Sequence, residues 1–126
     1  MSRRTALGRV RGLGSAMSGT DHWWYQRVTA VALIPLVIWF IVSIVGLVGA
    51  DYAVVVAWLR NPLVAIIMVL LLSAGYYHLR LGLQVVIEDY VHDKALKVAA
   101  RVGVDFFCIA LAAACVFAVL KLAFGG

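Results

Sequence analysis

Three long apolar stretches decide what this chain can become: Val28 to Gly49, Pro62 to about Ile87, and about Val102 to Phe124. Each reaches the ~20 helical residues that cross a hydrocarbon core about 30 Å thick. In lipid a spanning segment must satisfy its own backbone N–H and C=O groups, which for runs of this length means α-helix. With 126 residues, 65% hydrophobic and 13% charged, almost nothing is left over for a soluble domain. The expected architecture is an all-α membrane protein with three transmembrane helices, at about residues 28–49, 62–88 and 102–124. An arm over residues 1–26 precedes the membrane region, residues 27–126.

Orientation follows from the basic residues, because short loops rich in Lys and Arg stay cytoplasmic. The N-terminal segment carries Arg3, Arg4, Arg9, Arg11 and Arg27, and the stretch after the second span carries Lys94, Lys97 and Arg101. The first loop offers only Arg60 and the C-terminal end only Lys121. The expected placement is a bacterial inner membrane, crossed several times, with the N-terminus cytoplasmic and the C-terminus periplasmic. Arg3 to Ala16 is Arg-rich and free of acids, which also suits a mitochondrial presequence and hence a mitochondrial inner membrane. The first apolar run is longer than a signal-peptide core and lacks a clear cleavage site, so it reads as a retained helix. The net charge of +5 is therefore a topology signal; no groove-reading motif accompanies it, and the expected partner is membrane lipid, with no nucleic acid.

Several residues have simple membrane readings. Trp23, Trp24 and Tyr25 stand where amphipathic rings settle at headgroup level. The first twenty residues, rich in Gly, Ser and Arg, read as a loosely ordered arm. Pro35 removes one backbone donor inside the first span, and Pro62 suits the first turn of the second. Cys108 and Cys115 lie seven apart, about 10 Å along a helix, so they cannot bridge and read as small packing residues. Asp105 follows Arg101 by four residues, and a local ion pair between them is the expected arrangement.

The second span holds the chemistry. Its segment GYYHLRLGLQVVIEDYVHD, residues 75–93, places His78 near mid-span, about 18 Å of helix rise from Tyr90. An ionisable side chain in a membrane helix is costly and marks a functional candidate. On a helical wheel Gly75, Gly82 and Ala74 fall within about 60° of His78, so the histidine looks out from a face stripped of bulk. Two readings stand for that face: close packing of another helix, or a flat ligand such as a haem taking the imidazole as axial ligand. Because His22 and His92 lie near the membrane surface, a bis-histidine haem needs its second ligand from a partner chain. Arg80 lies about 200° away from His78; it either snorkels to the headgroups or meets an acid or propionate on a partner. Tyr90 reads as an interfacial anchor or as a hydrogen-bond donor to a quinone carbonyl, with Asp89 assisting proton delivery.

The segment HLRLGLQVVIEDYV closely resembles the signature of the hydrophobic membrane anchor subunit of succinate dehydrogenase, the smaller cytochrome b subunit of respiratory complex II. In that family a haem-ligating His is followed after four residues by Gly and after eleven and twelve by Asp-Tyr, the spacing of His78, Gly82, Asp89 and Tyr90. GLGSAMSGTDHWWYQRVTA resembles the family's entry into the first helix, and the three-helix plan agrees. The resemblance implies half of a haem-binding bundle, with His78 ligating the haem b iron and the other histidine coming from the larger cytochrome b subunit. It also implies Tyr90 hydrogen-bonding ubiquinone, Asp89 supporting that site, and Arg27 near the quinone or the haem propionates. Electrons of the tricarboxylic acid cycle substrate succinate pass, in that family, through a flavoprotein and an iron–sulfur subunit to the quinone. The chain alone carries neither a flavin site nor iron–sulfur cysteines, so no activity is expected of it in isolation. The rival readings are a structural membrane scaffold without haem or quinone role, and a small transport subunit lined by His78 and Arg80. Of polar groups continuing along that helix only Gln84 follows, about 120° from His78, which counts against transport.

Overall fold

A computed structural model describes residues 5–12 and 17–125, with backbone only for residues 8, 9, 17 and 18. Arg3, Arg4 and Ala16, and the side chain of Arg9, thus lie outside the described residues. The helices are α1 (Ala6–Val10), α2 (Met17–Gly46), α3 (Tyr52–Arg60), α4 (Pro62–Tyr90) and α5 (Lys94–Ala123). Of these α2, α4 and α5 are long and apolar enough to cross a membrane. The all-α architecture with three spans agrees with the sequence expectation.

The helix ends differ from that expectation, and each difference has a local cause. α2 begins at Met17, so the part of the arm from residue 17 to 26 is helical and continuous with the span. Once a long helix exists, each added residue gains a hydrogen bond without a new nucleation cost. α2 runs through Pro35 and stops at Gly46, short of Gly49, whose φ of +81° closes the following turn. The expected first loop contains α3. Asp51 caps it by accepting from the Val54 N–H at 3.0 Å, and Arg60 sits in its last turn, where a cation suits the carbonyl end. Asn61 then caps α4 through the Leu63 N–H at 3.0 Å, and Pro62 occupies the first turn as expected.

The polar stretch from Glu88 to Arg101, expected as a loop, shrinks to Val91, His92 and Asp93. Asp93 accepts from the Leu96 N–H at 2.8 Å and starts α5 at Lys94, eight residues before Val102. Lys94, Ala95, Leu96 and Lys97 are strong helix formers, so their charges mark where the helix leaves lipid rather than where it ends.

The three long helices form a layer. α4 is the middle member, packed against α2 on one flank and α5 on the other, while α3 leans on the ends of α4 and α5. α2 and α5 are not neighbours among the described residues. Trp39 of α2 and Trp58 of α3 stack with centroids 5.8 Å apart and tie the short helix to the first span. Buried apolar residues such as Leu81, Ile87, Cys108 and Val119 belong to α4 and α5, and no described residue of α2 is buried. Ile34, Ile38 and Ile41 of α2, and Phe106, Phe107 and Phe117 of α5, remain exposed. A layer whose two faces are apolar suits lipid and further helices rather than water.

Candidate functional site

His78 lies on the α2 flank of α4. Its Nδ1 is 2.9 Å from Thr29 Oγ1, forty-nine residues earlier in the chain. Thr29 Oγ1 also stands 2.7 Å from the Tyr25 carbonyl and 3.1 Å from that of Gln26, the usual back-bond of a helical threonine. Nε2 of His78 has no hydrogen-bond partner among the described residues and is not buried. Around it, a Cβ placed on Gly82 would sit 3.6 Å from Gln26 Nε2, and one on Gly75 4.0 Å from Leu33 Cδ2. α2 therefore packs against the face of Gly75 and Gly82, at distances where an added Cβ would make ordinary van der Waals contact, so of the two readings offered for this face, helix packing holds here. The His78 ring sits in that seam, with Nε2 still open. Tyr25 of α2 and Tyr77 of α4 also meet edge-on, at 6.3 Å between centroids.

The other flank of α4 carries a second polar contact. Arg80 does not snorkel and does not wait for a partner's acid. Its Nε donates to Asp105 Oδ1 at 2.6 Å and its Nη2 to Oδ2 at 3.1 Å, a two-point clamp onto α5. Gln84, one turn along and buried, donates through Nε2 to the same Oδ1 at 3.0 Å. The expected Arg101–Asp105 pair is thus replaced. Arg101 reaches Glu88 at 3.4 Å, and Lys97 Nζ donates to the Glu88 carbonyl at 3.2 Å, so both basic groups fasten the exposed α4–α5 turn. The reason is depth: Asp105 stands about 16 Å of helix rise inside α5, where a two-point cation across the seam satisfies it better than one a turn nearer the surface. Beside the clamp, a cleft of about 250 Å3 is lined by Ser73, Tyr76, Arg80 and Cys108. Tyr76 Oη and Cys115 Sγ meet at 3.4 Å, and both cysteines are free, in keeping with a packing role.

Asp89 and Tyr90 form the exposed C-terminal end of α4, and neither side chain has a hydrogen-bond partner among the described residues. They are eleven and twelve residues from His78, so the chain does not bring them to the imidazole. Arg27 stacks on Trp23, its Cζ 4.4 Å from the ring centroid, and touches neither Asp89 nor Tyr90. Sequence reasoning missed Thr29, Gln84 and the true partner of Asp105. The i, i+4 spacing of Arg80 and Gln84 was a usable signal, since it sets both on one helix face turned away from His78. Thr29 gave none, because its role depends on the register of α2 against α4. Among the described residues no group of three His, Cys, Asp or Glu side chains could hold a metal ion, so His78 offers a single donor.

Residues 1–119 match the sequence model of the family described as succinate dehydrogenase/fumarate reductase transmembrane subunit. Several curated proteins named succinate dehydrogenase hydrophobic membrane anchor subunit are similar over nearly their whole length. That of Rickettsia bellii is 31% identical over 116 residues, covering 92% of this chain and 93% of the relative. That of Paracoccus denitrificans is 33% identical, covering 92% and 89%, and that of Rickettsia felis 36% identical, covering 80% and 84%. No solved structure matches. The apolar three-helix layer, the match across its length and these relatives agree: the chain belongs to the succinate dehydrogenase/fumarate reductase transmembrane subunit family.

Proposed function

We propose that this membrane anchor subunit supplies one axial ligand, His78, to a haem b shared with the larger cytochrome b subunit, and that Tyr90 and Asp89 form part of a ubiquinone-reduction site. The observation that carries the reading is the state of His78, held through Nδ1 while Nε2 is accessible and unbonded. That is the donor a haem iron would take, and because this chain offers one such histidine, a second protein ligand would come from a partner. When bound, the haem supplies one-electron transfer; the protein's part is to orient the imidazole and keep its surroundings dry.

At the α4 end, the Tyr90 hydroxyl is free to donate to a quinone carbonyl, and the Asp89 carboxyl next to it can take up and release a proton there. Both are exposed, so the remaining walls of the quinone site come from the larger cytochrome subunit and the iron–sulfur subunit, which passes on electrons that the flavoprotein takes from succinate. Arg27, standing on Trp23 at the membrane boundary, offers a cation to a haem propionate. The basic residues at the N-terminus and at the α4–α5 turn favour a bacterial inner membrane with that side cytoplasmic.

The scaffold reading gains from one observation, the occupation of the Gly75–Gly82 face by α2. An optical spectrum of the purified complex separates the two. The haem reading expects a low-spin b-type signal in wild type that is lost in His78→Ala while the four subunits still copurify. Retention of the full signal in His78→Ala assigns the ligand elsewhere and leaves this chain a scaffold.

A further inference from the structure

We propose that Thr29 is a positioning residue for His78, accepting the Nδ1–H of the imidazole and so fixing the tautomer that would leave the Nε2 lone pair available to a haem iron. The inference rests on the haem reading above. Thr29 has one hydroxyl hydrogen, and its oxygen stands within reach of three groups: the Tyr25 carbonyl at 2.7 Å, the Gln26 carbonyl at 3.1 Å and His78 Nδ1 at 2.9 Å. Carbonyls only accept, so the short contact to Tyr25 takes the hydroxyl hydrogen. The oxygen is then left as acceptor toward Nδ1, which must carry the imidazole hydrogen. In the opposite arrangement the hydroxyl would turn to Nδ1, give up its carbonyl, and leave a hydrogen on Nε2, where no ligand bond can form.

The consequence reaches beyond orientation. A hydroxyl whose own hydrogen is engaged is a better acceptor. An imidazole that donates from its distal nitrogen is a more basic ligand, which favours the ferric over the ferrous state. α2, which has no buried residue among those described, would thus act on the cofactor through one hydroxyl, held in the α2–α4 seam within reach of the ring.

The test compares Thr29→Val, Thr29→Ala and Thr29→Ser in the purified four-subunit complex, reading the haem midpoint potential and the low-spin electron paramagnetic resonance g-values. Valine keeps the shape and removes the acceptor. It should raise the potential and alter the g-values, with a shift in ferric-to-ferrous preference of up to about tenfold. Serine keeps the hydroxyl and its back-bond and should leave both readouts near wild type. If the valine variant does not assemble, alanine removes the acceptor without added bulk and carries the same expectation. Valine or alanine variants indistinguishable from wild type overturn the proposal, as does a serine variant shifted as far as valine. His78→Ala in parallel separates the levels: if it loses the haem signal while Thr29→Val changes nothing, the ligand reading stands and the Thr29 role falls. If His78→Ala keeps the signal, both fall.

Discussion

A single hydroxyl at Tyr90 distinguishes an anchor at the membrane boundary from a group that holds substrate. Tyr90→Phe keeps the ring and the end of α4, so the complex should assemble normally. We expect succinate-dependent quinone reduction to fall by about 10- to 100-fold, a range typical of losing one positioned donor or acid–base group, while succinate oxidation with an artificial acceptor is unchanged. Quinone kinetics equal to wild type would remove Tyr90 from the site. As candidates, His78, Asp89 and Tyr90 stand out in the bare sequence because ionisable and hydroxyl groups are rare in an apolar helix. Thr29 did not, since threonine is unremarkable in a span and its contact with His78 joins residues forty-nine apart. Asp105 was visible, but its partner was misjudged because sequence proximity favoured Arg101, whereas the α4–α5 seam brings Arg80 to it.

At the level of the helices, hydropathy located all three spans, but charge was a poor guide to their ends. Lys94 and Lys97 lie in α5, and α2 extends ten residues into the expected arm, because a helix continues past the lipid boundary until a cap stops it. The pairing of α4 with α5 depends on Arg80, Gln84 and Asp105. In lipid, removing one member of such a pair strands a charge, at a cost of about 3–5 kcal/mol. Arg80→Leu or Asp105→Leu alone should therefore sharply lower the yield and thermal midpoint of the complex, and the double variant should recover most of both. A double variant as impaired as either single one would mean that loss of the pair itself, rather than a stranded charge, is what weakens the seam. Interhelical polar contacts in membranes are individually modest, about 0.6–2 kcal/mol, so recovery in the double variant is the expected outcome if apolar packing around Cys108 and Leu81 survives.

The described helices form an open layer, and this shape could not be read from three hydrophobic runs. A closed bundle and an open layer share the same hydropathy; small residues and polar partners decide which helix lies between the others. His78, Arg80 and Gln84, whose polar contacts reach α2 on one flank and α5 on the other, all belong to α4, the central helix. Because α2 has no buried described residue, the layer depends on neighbouring subunits to cover it. Deleting the larger cytochrome subunit proposed above as its partner should cut the steady-state level of this chain several-fold, measured by immunoblot against an unrelated membrane protein; an unchanged level would show that the layer persists alone. The connection between α4 and α5 has a consequence for biosynthesis. Only Val91, His92 and Asp93 separate the two helices, and the guanidinium of Arg80 finds its counter-charge on the second. During synthesis Arg80 leaves the ribosome twenty-five residues ahead of Asp105, too early to be neutralised if α4 were released into lipid alone. We therefore expect the two helices to leave the insertion machinery together as a paired hairpin, checked by cross-linking of insertion intermediates: α4 released into lipid before α5 emerges would contradict it.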